Sequence, residues 1–94
     1  MIRSYRRKEA EAIHERRPSH RLPHSIQRVA LRRLMQLDAA TTLDDLRAAP
    51  GNHLEKLVGD RAGRYSIRIN DQWRVCFRWA DGNAHDVAIV DYHG

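Results

Sequence analysis

The second half of the chain alternates apolar and polar residues with a period of two, the pattern of strands that bury one face. The alternating segments cover residues 53–58, 64–70, 72–79 and 84–92. Asp81-Gly82, between the last two segments, is typical of a tight hairpin turn. Because short links between the last strands require antiparallel neighbours, the pattern predicts a meander of about four antiparallel strands.

The first half is typical of helices that follow one short strand. Residues 1–6 alternate and predict that strand, and residues 8–17 are helix formers that stop before a proline. Residues 25–38 predict a second helix capped by Ser25, and residues 38–51 predict a connection with one short turn at 43–46. The second helix carries apolar residues at helical spacing, and these are expected to form its core face: Ile26, Val29, Ala30, Leu34 and Leu37.

These segments together predict a single α+β domain over residues 1–94. An N-terminal strand and two helices precede the antiparallel meander, and the helices are expected to pack on one face of the sheet. The period of two places four residues against the helices, as core side chains rather than as platforms for stacking on bases: Trp73, Val75, Phe77 and Trp79. The opposite face is predicted to carry a stripe of guanidinium groups from Arg68, Arg74 and Arg78.

The charge of the chain adds a class of partner to this picture. The 94 residues include 17 Lys and Arg against 12 Asp and Glu, a net charge of +5, and residues 1–37 alone carry +7. All but Lys8 and Lys56 of the basic residues are arginine, whose planar fork of donors matches phosphate. A nucleic acid or an acidic protein is therefore the expected partner, and a solvated helix surface is the alternative.

Other classes of protein are not expected. Cys76 is the single cysteine, so an intramolecular disulfide is excluded. The N-terminus has no signal-peptide pattern and no apolar run reaches membrane-spanning length, so a cytoplasmic location is expected. There is no phosphate-binding glycine loop and no cysteine cluster, and neither a metal site nor a cofactor is predicted.

Candidate chemistry lies at the C-terminal end of the sequence, in Asp91, Tyr92 and His93 taken together with Arg74. Histidine titrates near neutral pH, tyrosine can donate a proton, and arginine stabilises the negative charge of a phosphorane. Such a set suits metal-free cleavage of RNA, in which the ribose 2′-oxygen attacks the adjacent phosphate and an acid protonates the leaving 5′-oxygen. A merely polar chain end is the alternative.

The run from residue 59 to 79 contains Gly-Asp-Arg-x-Gly and Ile-Asn-x-x-Trp-Arg, and it resembles the signature of HigB-type toxins in the RelE/ParE superfamily. The two ends of the chain also fit that family. The resemblance implies a compact RelE-like fold and an mRNA interferase that cuts messages in the ribosomal A site. It also implies a helix-turn-helix antitoxin of the HigA type, and contact with operator DNA only through the toxin–antitoxin complex.

Carried over by position, Arg74 matches the transition-state arginine of the family, and Asp91, Tyr92 and His93 match its C-terminal active-site residues. The other cations of the strand half are expected to bind RNA: Lys56, Arg61, Arg64, Arg68 and Arg78. Arginines outside the apolar face of the second helix are expected to dock on ribosomal RNA: Arg28, Arg32 and Arg33.

One position departs from the family pattern. Where family members often have a lysine before Gly-Asp-Arg, this chain has Val58, and Lys56 two residues earlier is expected to substitute in part. Loss of a positive charge near the scissile phosphate is expected to weaken cleavage. Val58 therefore keeps open a toxin that binds DNA gyrase without nuclease activity. The +7 charge of residues 1–37 also fits a basic nucleic-acid-binding domain.

Overall fold

In a computed structural model, the described residues, 1–57 and 63–92, form three helices followed by four strands. The helices-then-strands order confirms the predicted α+β class. The elements are α1 (Lys8–His14), α2 (His24–Ala39), α3 (Leu43–Ala48), β1 (Glu55–Lys56), β2 (Arg64–Arg68), β3 (Trp73–Ala80) and β4 (Asn83–Asp91).

The four strands form one antiparallel sheet in the order β1-β2-β3-β4, as the meander pattern predicts. Asp81 and Gly82 turn between β3 and β4 with φ values of 55° and 74°, the left-handed conformation that two-residue hairpins need. Strand β1 is only two residues long, shorter than the predicted segment 53–58, whose last residue lies outside the described residues.

The predicted N-terminal strand is present only as two parallel bridges to β4, Ile2 with Ala84 and Tyr5 with Val87. Backbone hydrogen bonds at both bridges hold the segment against the edge of β4. Between the bridges the backbone of Asp86 has a φ of 54°, which breaks the regular ladder, and its N–H bonds the Ser4 hydroxyl oxygen at 2.9 Å. The N-terminal segment therefore pairs with β4 only at these two bridges and does not form a continuous strand.

The helices cover one face of the sheet around a single core. Helix α2 buries Ile26, Ala30, Leu34 and Leu37, and Phe77 of β3 is fully buried beneath the helices. The remaining residues of the predicted aromatic and aliphatic face belong to the same core, fully buried or partly buried against it: Trp73, Val75 and Trp79. The predicted core role of these side chains is thus confirmed.

The helix boundaries differ from prediction in two places. Helix α1 ends at His14 rather than at residue 17, because Arg16 adopts a left-handed φ of 62° that a helix cannot continue through. Helix α2 begins at His24 after Pro23, and no side chain caps it, so the predicted capping role of Ser25 is wrong.

The connection 38–51 holds a third helix, where only one turn was predicted. The Thr42 hydroxyl accepts from the backbone N–H of Asp45, and the Asp45 carboxylate accepts from the N–H of Thr42, which forms a capping box. Backbone hydrogen bonds from Thr41 and Thr42 lower the pKa of Asp45. The Thr-x-x-Asp spacing was the sequence signal for this helix start.

Candidate active site

The face of the sheet that the helices leave uncovered, called the open face below, carries the predicted guanidinium groups. Register pairs Arg64 with Arg78 and Arg68 with Arg74 across β2 and β3. Residues directly opposite on antiparallel strands project to the same face. The four arginines therefore share the open face, together with Ser66 and Cys76 between them.

Arg74 lies on the open face, as predicted, but it is buried there, and only 8% of it is accessible. Its Nε donates to the Ser66 hydroxyl at 2.7 Å, and its Nη2 donates to the carbonyls of Ser66 and His53. Its Nη1 lies 3.8 Å from a carboxylate oxygen of Glu55. The guanidinium is thus fixed on one side by Ser66 and the His53 carbonyl, while within residues 1–57 and 63–92 the contact of Nη1 is with the Glu55 carboxylate.

Tyr92 lies beside Arg74, as the sequence analysis predicted. The Arg74 Cζ is 6.0 Å from the centroid of the Tyr92 ring, within the range of a cation–π contact. The Tyr92 N–H donates to the Gln72 carbonyl at 2.6 Å, which fixes the backbone just beyond β4. A phenol and a guanidinium therefore stand next to each other on the open face, at the end of the sheet where β3 begins and β4 ends.

Asp91 is separated from this pair. It stands opposite Trp73 in the register of β3 and β4, so it projects to the helix side of the sheet. Its carboxylate accepts a hydrogen bond from the Gln72 side chain at 3.0 Å. The expected grouping of Asp91 with Arg74 is therefore corrected: alternate residues of a strand project to opposite faces.

Three predicted positions fall outside the described residues: His93, Arg61 and Val58. They stay predictions from the sequence.

A cleft of about 160 Å³ opens on the open face next to Tyr92. Pockets that enclose a whole small molecule usually have at least about 300 Å³, so this cleft suits one group of a longer ligand. Its lining residues come from the N-terminal segment and all four strands or their ends: Arg6, Leu57, Arg64, Cys76, Asp86, Val90 and Tyr92.

The guanidinium groups do not form one continuous stripe. Arg68 bonds Asp71 in the β2–β3 turn at 2.5 Å. Arg64 and Arg78 both approach the carboxylate of Asp86, each at 3.5 Å. The open face therefore has three separate cationic environments, of which the one around Asp86 contributes to the cleft.

Lys56 does not lie on the face of Arg74. Register places Lys56 opposite Tyr65, whose side chain packs against the core, and places Glu55 opposite Ser66 on the open face. The expectation that Lys56 stands in for a lysine at position 58 beside the phosphate is therefore corrected. Glu55 occupies that neighbourhood instead, and it brings a negative charge rather than a positive one.

Arg33 is buried, so its predicted place in an exposed docking stripe is wrong. Only 7% of it is accessible, and its Nε donates to the Arg68 carbonyl at 2.8 Å. Burial, with Arg32 and Arg68 nearby, lowers its pKa. Arg33 lies seven residues after Ile26, two helical turns along the same buried face, and this spacing was the overlooked signal.

The other two residues that are expected to dock on RNA, Arg28 and Arg32, are exposed on α2 as predicted.

Four residues of the candidate site were not predicted from the sequence: Arg6, Glu55, Ser66 and Asp86. The register of β1, β2 and β3 places Glu55 and Ser66 on the same face of the sheet as Arg74. Their positions could therefore be inferred only once that register was known. Arg6 and Asp86 line the same cleft because the N-terminal segment pairs in parallel with β4, which no local pattern specifies.

Among residues 1–57 and 63–92, no group of three or more His, Cys, Asp or Glu side chains is placed to hold a metal ion. None of the helices within those ranges is long and apolar enough to cross a membrane.

The fold of this chain is shared with a solved structure. A chain of a solved YoeB–YefM complex from Staphylococcus aureus superposes with a TM-score of 0.62, over 100% of this chain and 99% of that chain, at 19% identity. At that identity the likeness establishes the fold alone.

Sequence relatives establish the family. A family model described as the RelE-like toxin of type II toxin–antitoxin system HigB matches residues 3–93. Toxin HigB-1 of Vibrio cholerae is 44% identical over 85 residues, covering 89% of this chain and 90% of that protein. Endoribonuclease HigB of Proteus vulgaris is 31% identical over 94 residues, covering 99% and 100%. The chain belongs to the HigB-like family of type II toxins, a membership that implies an antitoxin as its partner.

Proposed function

We propose that this chain is a ribosome-dependent mRNA endoribonuclease whose active site is the open face around Arg74 and Tyr92. The observation that carries the proposal is the fixed guanidinium of Arg74, buried on the uncovered face and set against a tyrosine ring. The Proteus vulgaris relative, which aligns over nearly all of this chain, is named an endoribonuclease.

Arg74 is suited to stabilise the transition state of phosphodiester cleavage. When the ribose 2′-oxygen attacks phosphorus, negative charge builds on the non-bridging oxygens of a five-coordinate phosphorane. Because Ser66 and His53 already fix the guanidinium, its remaining donors need no reorganisation to meet that charge. The products of such a step are a 2′,3′-cyclic phosphate and a free 5′-hydroxyl.

Tyr92 and His93 are the proposed proton-transfer groups. The 2′-hydroxyl must lose a proton as it attacks, and the leaving 5′-oxygen must gain one. Tyr92 stands next to Arg74 and has a hydroxyl that can donate to a phosphate or a leaving oxygen. We propose that His93, the following residue, supplies the second group. Asp91, held by Gln72 on the other side of the sheet, acts on neither proton directly.

We propose that the exposed arginines of α2 dock the toxin on ribosomal RNA. Arg28 and Arg32 are exposed, and α2 covers the face of the sheet opposite the cleft. Docking through α2 would therefore leave the open face directed away from the attachment surface, toward the message. We also propose that the toxin acts in the cytoplasm. A HigA-type helix-turn-helix antitoxin would inhibit it and would link it to operator DNA.

The docking proposal predicts a salt effect. Arg28→Gln with Arg32→Gln should weaken ribosome binding and lower the salt slope of log affinity by about 2, roughly one per lost phosphate contact. Co-sedimentation with ribosomes across a salt series measures this slope. Arg47→Gln is the matched control, because Arg47 is exposed on α3 and already paired with Asp44. An unchanged slope in the double variant would contradict docking through α2.

The proposed function is tested by inducing the toxin and mapping message ends by primer extension. Discrete new 5′ ends within translated codons, absent when translation initiation is blocked, are the expected result. Intact messages together with impaired DNA supercoiling would favour a gyrase-binding toxin instead.

A further inference from the structure

A bulge in β4 places a carboxylate between two arginines at the rim of the cleft. Cys76 pairs with Ala88 but Arg78 pairs with His85, so two residues of β4, Asp86 and Val87, stand opposite a single residue of β3. Such a bulge re-aims a side chain and locally ends the regular pairing. Asp86 also adopts a left-handed φ of 54°, which is uncommon for a residue other than glycine.

The carboxylate of Asp86 holds Arg64 and Arg78 together. These two arginines face each other directly across β2 and β3, an arrangement of like charges that is destabilising by itself. One oxygen of Asp86 lies 3.5 Å from Arg64 and 3.5 Å from Arg78 and bridges them. The Asp86 backbone is in turn fixed by the Ser4 hydroxyl at 2.9 Å.

Arg6 of the N-terminal segment adds a second guanidinium to the lining of the cleft, beside Arg64, while Arg78 reaches this corner through its contact with Asp86. Arg6 is exposed, it lines the same cleft as Arg64 and Asp86, and its N–H donates to the Val87 carbonyl at 2.9 Å. Within residues 1–57 and 63–92, the ion pairs give Arg6 no carboxylate partner. Three guanidinium groups and one carboxylate leave this corner with a net charge of about +2, which favours an anion.

We propose that Arg6, Arg64 and Arg78 form a second phosphate subsite, which binds the phosphodiester next to the scissile one on the same RNA strand. The cleft shares Tyr92 as a wall with the Arg74 site, so a single strand can occupy both. Guanidinium forks match the geometry of phosphate oxygens. Asp86 is the positioning residue of this subsite. The inference rests on the proposed function, because it assigns a second part of the same RNA to the open face.

The subsite is tested with two ligands that cannot be cleaved, a 2′-O-methyl dinucleotide with one phosphodiester and a 2′-O-methyl trinucleotide with two. Wild-type protein should bind the trinucleotide about tenfold more tightly, the size of one charge-assisted contact to phosphate. Arg6→Gln and Arg64→Gln should each remove most of that advantage and leave dinucleotide affinity within about twofold. The logarithm of the affinity should also fall more steeply with the logarithm of the salt concentration for the trinucleotide than for the dinucleotide, by a slope difference of about 0.7. The Arg6→Gln and Arg64→Gln variants should lose this difference.

Arg3→Gln is the matched control, because Arg3 is exposed on the same segment and does not line the cleft. It should behave as wild type with both ligands. Equal weakening of both ligands by Arg6→Gln would overturn the proposal, since the arginines would then bind the first phosphate. No effect of Arg6→Gln and Arg64→Gln on either ligand would overturn it as well.

Cys76 gives an independent report on occupancy of the cleft. It is the single cysteine of the chain and lines the cleft, so the rate of its alkylation by iodoacetamide reports access to the cleft at that one position. The trinucleotide should slow alkylation of wild type and protect the Arg6→Gln variant much less at the same concentration. Equal protection by inorganic phosphate would show that the cleft takes an isolated anion, and would overturn the assignment to a neighbouring phosphodiester.

The Asp86→Asn variant distinguishes a role of Asp86 in positioning Arg64 and Arg78 from a simple effect of its negative charge on RNA binding. Removing a negative charge alone would tighten trinucleotide binding, whereas loss of positioning should abolish the preference for the trinucleotide over the dinucleotide. The second result is expected, and tighter binding with the preference kept would overturn the positioning role.

Failure of the subsite and failure of the nuclease are distinguishable. If the subsite is wrong, wild type and Arg6→Gln cleave messages with the same KM. If the nuclease is wrong, wild type cleaves nothing while trinucleotide binding persists.

Discussion

Replacing Arg74 with lysine should lower the rate of message cleavage by about a hundredfold or more, the usual effect of losing one preorganised transition-state donor. The guanidinium bonds Ser66 at two oxygens and His53 at a third, and still carries an Nη1 group beyond them. An ammonium has three donors at one point and cannot satisfy that set while also reaching a phosphate. Single-turnover cleavage on programmed ribosomes measures the effect.

Lysine is preferred to alanine here because Arg74 is buried, and alanine would leave its backbone partners unpaired and the fold in doubt. Circular dichroism and a thermal melt check that Arg74→Lys stays folded. Arg47→Lys, at an exposed position of α3, is the control for a general effect of exchanging an arginine for a lysine. A folded Arg74→Lys protein that cleaves within a few-fold of wild type would remove Arg74 from the active site.

Replacing Arg33 with alanine should destabilise the protein by about 2 kcal/mol, since a buried charged hydrogen bond and its packing are lost together. For a domain of this size the expected fall in Tm is about 8 to 16 °C. Arg33 links α2 to the Arg68 carbonyl at the end of β2. Because Arg33 is buried, we expect its replacement to lower the free energy of unfolding and to leave ribosome binding unchanged.

Its neighbour provides the control, because Arg32 is exposed one position along the same helix. Arg32→Ala should change the free energy of unfolding by no more than about 0.5 kcal/mol. Arg33→Met keeps an unbranched apolar side chain in place of the aliphatic part of the arginine. It should recover part of the loss, since this packing returns but the Arg68 carbonyl stays without the Arg33 donor. Equal melting temperatures for Arg33→Ala and Arg32→Ala would show that Arg33 has no structural role.

The sequence predicted the elements whose signal is periodic and local. The alternation of Trp73, Val75, Phe77 and Trp79 specified both strand β3 and its buried face, and Asp81-Gly82 specified the hairpin. Arg74 and Tyr92 were also grouped correctly as neighbours, first from the chemistry of their side chains and then by resemblance in motif, and not through any pattern of burial.

Features that depend on long-range contacts could not be read in the same way. Alternation shows which face Arg74 occupies, but its burial depends on Ser66 and on the His53 carbonyl, which reach it only in the folded sheet. The face of Lys56 depends on the register of β1 against β2. The position of Asp86 depends on a bulge, which adds one residue to β4 and leaves no mark in the local hydrophobic pattern.

The central claim, that the open face cleaves RNA by attack of a ribose 2′-oxygen, is tested most directly with one substituted message. A cleavage site is first mapped on a programmed ribosome, and a message is then made with a single 2′-deoxynucleotide on the 5′ side of that bond. The account predicts that cleavage at this bond disappears, while the unsubstituted message yields a 2′,3′-cyclic phosphate and a 5′-hydroxyl. Continued cleavage of the deoxy message, leaving a 5′-phosphate, would contradict it.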